Sequence, residues 1–349
     1  MRIIASDSAF PENYYPQQEI TNALSAYWAP SLERTSLIRR FHRNAGVDGR
    51  YLAMPLTKFV QLRDWGEANN AWISIAEDLG ERVITGALAQ AGVDARHVGA
   101  LFFVSITGIA NPSVDARLMN RIDFSPHLRR VPIFGLGCVA GAAGIARAAD
   151  YVRAYPDQIA VLLSVELCSL TWQRQDLTTA NIISTGLFGD GAAAIVIAGR
   201  EVPLAGPQVI ASESVFYQGT EELMGWNITH DGMRVVLSPE VPQVVLRNFG
   251  ANTDSFLAKF GLTRDDIGLW IMHTGGPRVL EAMAESLAVP RDALENSWRW
   301  LRKVGNLSSA SVLVVLDDIM KNSRPPEGTW SVLAAMGPGF CSELVLIRW

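Results

Sequence analysis

VPIFGLGCVAGAAGIARAADYV, residues 131–152, is the stretch around which the chain is organised. Val131–Phe134 is a short apolar run, the pattern of a buried strand. Gly135 and Gly137 break it and Cys138 follows. An Ala/Gly-rich segment then carries Ile145, Ala149 and Val152 at helical spacing. A thiol at a strand-to-helix turn meets backbone N–H groups that the helix leaves unpartnered, at the positive end of its dipole. Both favour the thiolate, the nucleophilic form, so the pattern predicts a reactive thiol at Cys138. The small residues 140–144 let backbone or ligand come close. An inert buried cysteine in a tightly packed helix gives the same local pattern, so the decision rests on residues elsewhere.

With 349 residues the chain is long enough for two halves with a large core. Its 49% apolar and 19% charged content excludes disorder. A net charge of −5 gives no support to nucleic-acid binding, which needs a basic face. Cys138, Cys168 and Cys341 have neither paired nor metal-type spacing, so a reduced, cytoplasmic setting without a metal site is expected. Asp7 falls where a signal peptide needs apolar residues, and no run is long and apolar enough for a membrane span.

Outward from residues 131–152, apolar runs at 2–5, 101–105, 159–165, 209–216, 269–272, 330–335 and 343–347 read as strands. Helical patterns cover 64–92, 115–121, 244–260 and 278–288, and 224–242 forms a hairpin-like excursion. The alternation predicts an α/β protein with helices layered on sheets. Both sides of Pro203 repeat it, which suggests duplicated halves, 1–202 and 203–349. Residues 31–51 are basic, with Arg39, Arg40, Arg43 and Arg50 around Phe41. They read as a solvated helix face or as a grip on a phosphorylated ligand. Gly189-Asp190-Gly191 precedes a strand rather than a helix, the wrong order for a phosphate loop, so it is structural.

Five histidines could serve Cys138. His42, His97, His127 and His230 lie in polar or turn-like surroundings and read as surface residues. His273 instead ends an apolar strand before Gly275-Gly276-Pro277, at the strand end where α/β sheets place ligands. Asn306 stands between Gly305 and an apolar helix. Ser308 or Ser309 would cap that helix, which frees the Asn306 amide for a site.

With Cys138, His273 and Asn306 each at an element terminus, the chain resembles type III polyketide synthases, the chalcone-synthase-like branch of the thiolase superfamily. The motifs are GCVAG around Cys138, LFGDGAAA at 187–194, HTGGP at 273–277, GNLSSAS at 305–311 and GPGF at 337–340, in family order. The resemblance implies a five-layered αβαβα fold from two duplicated halves, a Cys138–His273–Asn306 triad, acyl-CoA and malonyl-CoA as substrates, no cofactor beyond those thioesters, and a homodimer. It also implies Phe188 as a gatekeeper, and Ile106, Cys168, Thr171, Trp226, Val235 and Ser308 as cavity residues. Arg40, Arg43 and Arg278 would bind CoA, and Gly337, Pro338 and Gly339 would form a cyclisation loop. Asn111 falls where the plant enzymes reach into the partner's cavity. Val235 replaces a second gatekeeper aromatic, and Trp226 stands where the plant enzymes have glycine. The features around 166–177 and 224–242 resemble bacterial alkylpyrone and alkylresorcinol synthases, which implies a medium- to long-chain fatty acyl starter. Neighbouring expectations are a single condensation of the ketoacyl synthase III or HMG-CoA synthase type, and a non-catalytic subunit of the same fold.

Overall fold

The structure is a computed structural model that describes residues 1–31 and 35–349. The basic stretch read at 31–51 therefore lies partly outside the described residues, at 32–34. The first half runs β1 (Arg2–Ala9), β2 (Asn13–Pro16), α1 (Gln17–Trp28), α2 (Ser36–Asn44), β3 (Gly49–Leu52), α3 (Leu56–Phe59) and α4 (Trp65–Ala91). It continues through β4 (Val98–Val104), α5 (Val114–Leu118), β5 (Arg129–Ile133), α6 (Ala140–Ala154), β6 (Ile159–Leu167), α7 (Thr179–Leu187) and β7 (Asp190–Ala198). The second half has β8 (Gln208–Phe216), the hairpin β9 (Met224–Thr229) and β10 (Gly232–Leu237), α8 (Val241–Ala258), β11 (Ile267–Met272) and α9 (Pro277–Leu287). Then come α10 (Glu295–Val304), α11 (Ala310–Asn322), β12 (Trp330–Gly337) and β13 (Cys341–Arg348).

The main sheet has the order β11-β12-β13-β8-β1-β7-β6-β4-β5. Its two halves meet at one residue pair, Arg2 with Gln208. Strands β6 and β7 are buried along their whole length, so both of their faces are apolar and period-two alternation disappears. Helix α4 covers the first half-sheet, packing on β1, β6 and β7. Helices α6 and α11 lie between the half-sheets: α6 touches β6, β12 and β13, and α11 touches β1, β7 and β11. Helices α8 and α9 pack on each other, and α8 lies on β13. Three apolar cores separate these layers, giving the five-layered αβαβα arrangement that the resemblance implies.

The layering explains the small residues after Cys138. A Cβ on Gly141 would collide with the Ser309 carbonyl and approach Val312 Cγ1 to 2.9 Å, so α6 and α11 touch almost backbone to backbone. Three expectations fail. Val131–Phe134 is not buried: β5 is the outer strand of the sheet, and Phe134 is 55% exposed. A short apolar run cannot by itself distinguish edge from centre. His42 is not a surface residue but 1% exposed, with Nδ1 2.9 Å from Thr21 Oγ1. Helix α7 is capped by Thr178, whose hydroxyl accepts from Asn181 N–H. Neither Ser308 nor Ser309 caps α11. No helix among the described residues is long and apolar enough to cross a membrane.

Candidate active site

Cys138 sits in a single 3-10 turn, Gly137–Val139, that leads from the β5 loop into α6. Gly137 has φ +56°, which favours glycine, and its missing Cβ makes room for Pro338, whose Cδ would lie 2.7 Å away. A Cβ on Gly337 would lie 2.6 Å from Val139 N and 2.8 Å from Leu136 O. The GPGF loop is thus pressed against the turn that carries the thiol. The Cys138 sulfur lies 3.6 Å from Ser308 Oγ.

Burial dominates the thiol's chemistry. It pushes the Cys138 pKa up to about 12, helped by the Glu166 carboxylate, while the Ser308 hydrogen bond pulls the other way. The expectation that the helix entry favours thiolate therefore fails in this state: desolvation of the charged form outweighs the terminal N–H groups. Cys138 is held as a thiol.

His273 follows the last residue of β11, and its N–H donates to Ala334 O at 2.9 Å. It is 3% exposed, and burial lowers its pKa to about 4, so the ring is neutral. Its Nδ1 is buried without a partner among the described residues. No carboxylate orients this ring. Protonation on Nε2 leaves Nδ1 as a bare acceptor, less costly to bury than an unpartnered N–H. Asn306 is tied down on three sides. Its N–H donates to Leu187 O, its carbonyl accepts from Gly189 N–H, both at 2.9 Å, and its Oδ1 accepts from Ser308 N–H at 2.8 Å. The Ser311 hydroxyl adds a bond to the same Oδ1 at 3.3 Å. With the oxygen occupied, Nδ2 is the donor left for other work. So the amide oxygen itself takes the Ser308 N–H, instead of being spared by a serine cap. Ser308 has φ +49°, a strained conformation for a residue with a Cβ. Thr274 Oγ1 donates to Gly305 O at 3.3 Å and links the His273 and Asn306 loops.

Cys138, Ser308, Phe188, Ile106, Cys168, Thr171, Trp226, Val235 and Pro338 line one cavity. Trp226 is half-buried on its wall rather than packed in a core. The cavity holds about 1210 Å³ of atom-free space including its mouth, and Ile20 and Leu24 of α1 with Leu56, Phe59 and Val60 are among its lining. His273, Asn306, Gly337 and Gly339 are not among the residues that line this cavity. Arg40, Arg43 and Arg278 are exposed and away from the lining. Arg40 lies over the Phe41 ring at 5.1 Å.

Arg50 does not belong with them. It is 2% exposed, and its guanidinium donates to Phe188 O at 2.6 Å and Thr185 O at 2.5 Å. Burial lowers its pKa to about 10, opposed by the Asp190 charge, so it remains a cation. Asp190 accepts from Ala53 N–H at 2.5 Å and from Ser169 N–H at 2.8 Å; burial raises it to about 6. Arg50 braces the Phe188–Gly189 backbone, which bridges to Asn306. Glu166 is a further residue of the site, outside the motifs of the sequence. This fully buried carboxylate accepts from Ile106 N–H at 3.1 Å, from Thr107 Oγ1 at 2.9 Å and from Ser309 Oγ, and burial raises its pKa. A lone acid inside the apolar run 159–167 was its signal.

Residues 3–201 match the N-terminal domain of chalcone and stilbene synthases, and residues 208–349 match the C-terminal domain. A 1,3,6,8-tetrahydroxynaphthalene synthase of Streptomyces peucetius subsp. caesius is 48% identical over 99% of this chain and 93% of its own. A putative chalcone synthase of Bacillus subtilis is 37% identical over 88% and 87%. The crystal structure of 1,3,6,8-tetrahydroxynaphthalene synthase from Streptomyces coelicolor, described as a bacterial type III polyketide synthase, superposes with a TM-score of 0.95 at 30% identity, covering 100% of this chain and 99% of that one.

Proposed function

The chain belongs to the chalcone and stilbene synthase family and is a type III polyketide synthase; from that premise we propose that it extends a fatty acyl starter with malonyl units on Cys138. As the thiol proton passes to neutral His273, the Cys138 sulfur attacks the acyl-CoA carbonyl. The carbon–sulfur bond to CoA breaks, and CoA leaves with the proton. Splitting the condensation in this way makes each step easier. Malonyl-CoA then loses carbon dioxide to an enolate, whose oxygen the Asn306 Nδ2 and His273 Nε2 donors stabilise. The enolate carbon attacks the acyl-Cys138 thioester. A carbon–carbon bond forms, the bond to sulfur breaks, and the released thiolate takes a proton from solvent. These steps balance on CoA thioesters and that one solvent proton, with no cofactor. Arg40, Arg43 and Arg278 would hold CoA phosphates, and Gly337–Gly339 would shape the ring-closing side.

One observation carries the starter class. The cavity that holds Cys138 is also lined by the apolar side chains of Ile20, Leu24, Leu56, Phe59 and Val60. An alkyl chain gains about 0.8 kcal/mol per buried CH₂ there. Two or three extensions then give an alkylpyrone or alkylresorcinol. A second reading, in which malonyl-CoA primes as well as extends, is favoured by the relative at 48% identity, named a tetrahydroxynaphthalene synthase. The test is an acyl-CoA series at fixed malonyl-CoA. We expect kcat/KM to rise from acetyl- through hexanoyl- to dodecanoyl-CoA. A malonyl-only naphthalene product supports the second reading, and a single condensation overturns both.

We read residues 1–202 and 203–349 as the duplicated halves. We also propose a homodimer in a reducing, cytoplasm-like setting. The exposed edge of β5 with Phe134, and Ile109 beside the Asn111 loop, support the dimer, and three free thiols fit the setting. A monomeric mass by light scattering at micromolar concentration refutes the dimer.

A further inference from the structure

The synthesis proposed above leaves four arginines unused at the opposite end of the sheet from Cys138. Arg2 opens β1, Arg348 closes β13, Arg200 follows β7 and Arg324 follows α11. All four line one open cavity, with about 1540 Å³ of atom-free space including its mouth. Its floor is the junction of the half-sheets, where Arg2 pairs with Gln208. The 199–207 loop forms one wall and is held by close approach: a Cβ on Gly206 would collide with the Ile3 carbonyl. Such a wall is fixed before any ligand arrives.

The charges here are not neutralised by ion pairs. Among the described residues, Arg2, Arg324 and Arg348 make none, and Arg200 only reaches the exposed Glu201 at 3.8 Å. Two of the guanidiniums lie over indoles instead, Arg324 5.9 Å from the Trp349 ring and Arg348 5.0 Å from the Trp330 ring. Stacking fixes their planes and leaves their N–H edges free. Against four cations the lining sets only Glu327 and the Trp349 carboxylate. In a chain of net charge −5, this concave surface keeps a local positive excess.

We infer that this cavity binds a small oligophosphate, a pyrophosphate group that is either free or carried by a nucleotide. Planar guanidiniums match phosphate oxygens in pairs, and charge-assisted bonds are the strong kind. A concave site with several guanidiniums suits two linked phosphates better than one. The site is separate from the condensation chemistry. Strand β12 runs from Trp330 beside this cavity to Gly337 behind Cys138, a span of about 23 Å at strand rise.

The test is isothermal titration of the full chain with sodium pyrophosphate and, separately, with ATP. We expect a Kd below about 1 mM for pyrophosphate. The Arg324→Glu/Arg348→Glu variant should weaken it by about tenfold or more, as expected for two lost charge-assisted contacts. Arg200→Glu, at an exposed side chain, should weaken it without threatening the fold. Condensation at saturating malonyl-CoA should be unchanged in both. An Arg40→Glu/Arg43→Glu protein should bind pyrophosphate as the parent does, which separates this cavity from the CoA-binding arginines. ATP binding as tightly as pyrophosphate assigns the affinity to phosphate alone, and tighter binding adds a nucleotide contact. The inference is overturned if pyrophosphate fails to bind, if both charge reversals bind it like the parent, or if the Arg40→Glu/Arg43→Glu protein loses it.

Discussion

Replacing Arg50 by Met tests whether the buried guanidinium is a brace or a ligand grip. The guanidinium is 2% exposed, fills the donors' side of two carbonyls, Phe188 O and Thr185 O, and faces the buried Asp190. Met fills a similar volume but offers no donor, so both carbonyls lose a partner and Asp190 keeps an uncompensated charge. Leaving two buried carbonyls without their donor costs about 1–3 kcal/mol each, with the attraction between Arg50 and Asp190 lost as well. For a 349-residue chain the unfolding entropy near 60 °C is about 0.7 kcal/mol/K, so about 4 kcal/mol lowers Tm by about 5–6 °C. The same change loosens the Phe188–Gly189 backbone that bridges to Asn306, so kcat should fall while KM for malonyl-CoA changes little. Arg50→Lys should recover little, since an ammonium lacks the fork that spans two carbonyls. Arg50→Met with Asp190→Asn should recover part of the Tm, because the orphaned charge is gone. Calorimetry and steady-state kinetics measure both. A Tm within about 1 °C of the parent, with unchanged kcat and a raised KM, would refute the brace and restore the phosphate-grip reading of the basic stretch.

Three further outcomes follow from the site. With its thiol pushed up to about 12 by burial, Cys138 should react slowly with iodoacetamide at pH 7 and much faster at pH 10, while Cys138→Ala abolishes condensation and Cys168→Ala and Cys341→Ala retain it; a labelling midpoint below pH 7 contradicts this. Gly137→Ala should cost about 1–2 kcal/mol for its left-handed backbone and push Pro338 away from the cavity, so kcat drops with a small loss in Tm; an unchanged kcat shows that the GPGF contact is dispensable. Burial holds His42 at about 3 and His273 at about 4, both below the ordinary 6.5. Between pH 6.5 and those values the unfolded chain binds more protons, so each histidine contributes stability above pH 6.5 that is lost as pH falls, by about 1.4 kcal/mol per unit. Asp190, raised to about 6, acts in the opposite sense between pH 6 and 3.8. Melts from pH 7 to 5 should show a falling Tm with a shallower slope in His42→Gln; equal slopes refute the assignment.

The local signals that the sequence carries are those set by a residue and its immediate neighbours. Glycines at 135, 137 and 141 around a lone thiol, a histidine closing an apolar strand, and Asn306 between Gly305 and an apolar helix each mark a point where backbone must turn or press close. Steric exclusion acts within a few residues, so these points are legible without a fold, and five motifs in order specify the layered α/β class. Other features depend on what lies across space. Val131–Phe134 has the apolar run of a central strand, and only the sheet order makes it an edge. Arg50 sits in a basic stretch, and His42 beside it, yet packing against α7 buries both, which reverses the expected role of one and neutralises the other. Glu166 gains its donors from the loop that follows β4 and from Ser309 just before α11, residues up to 143 positions away. Cys138 shows the division within one residue. Its place at a helix entry is local and correctly read, but the protonation state depends on desolvation by distant side chains, and that energy exists only once the chain has closed around it.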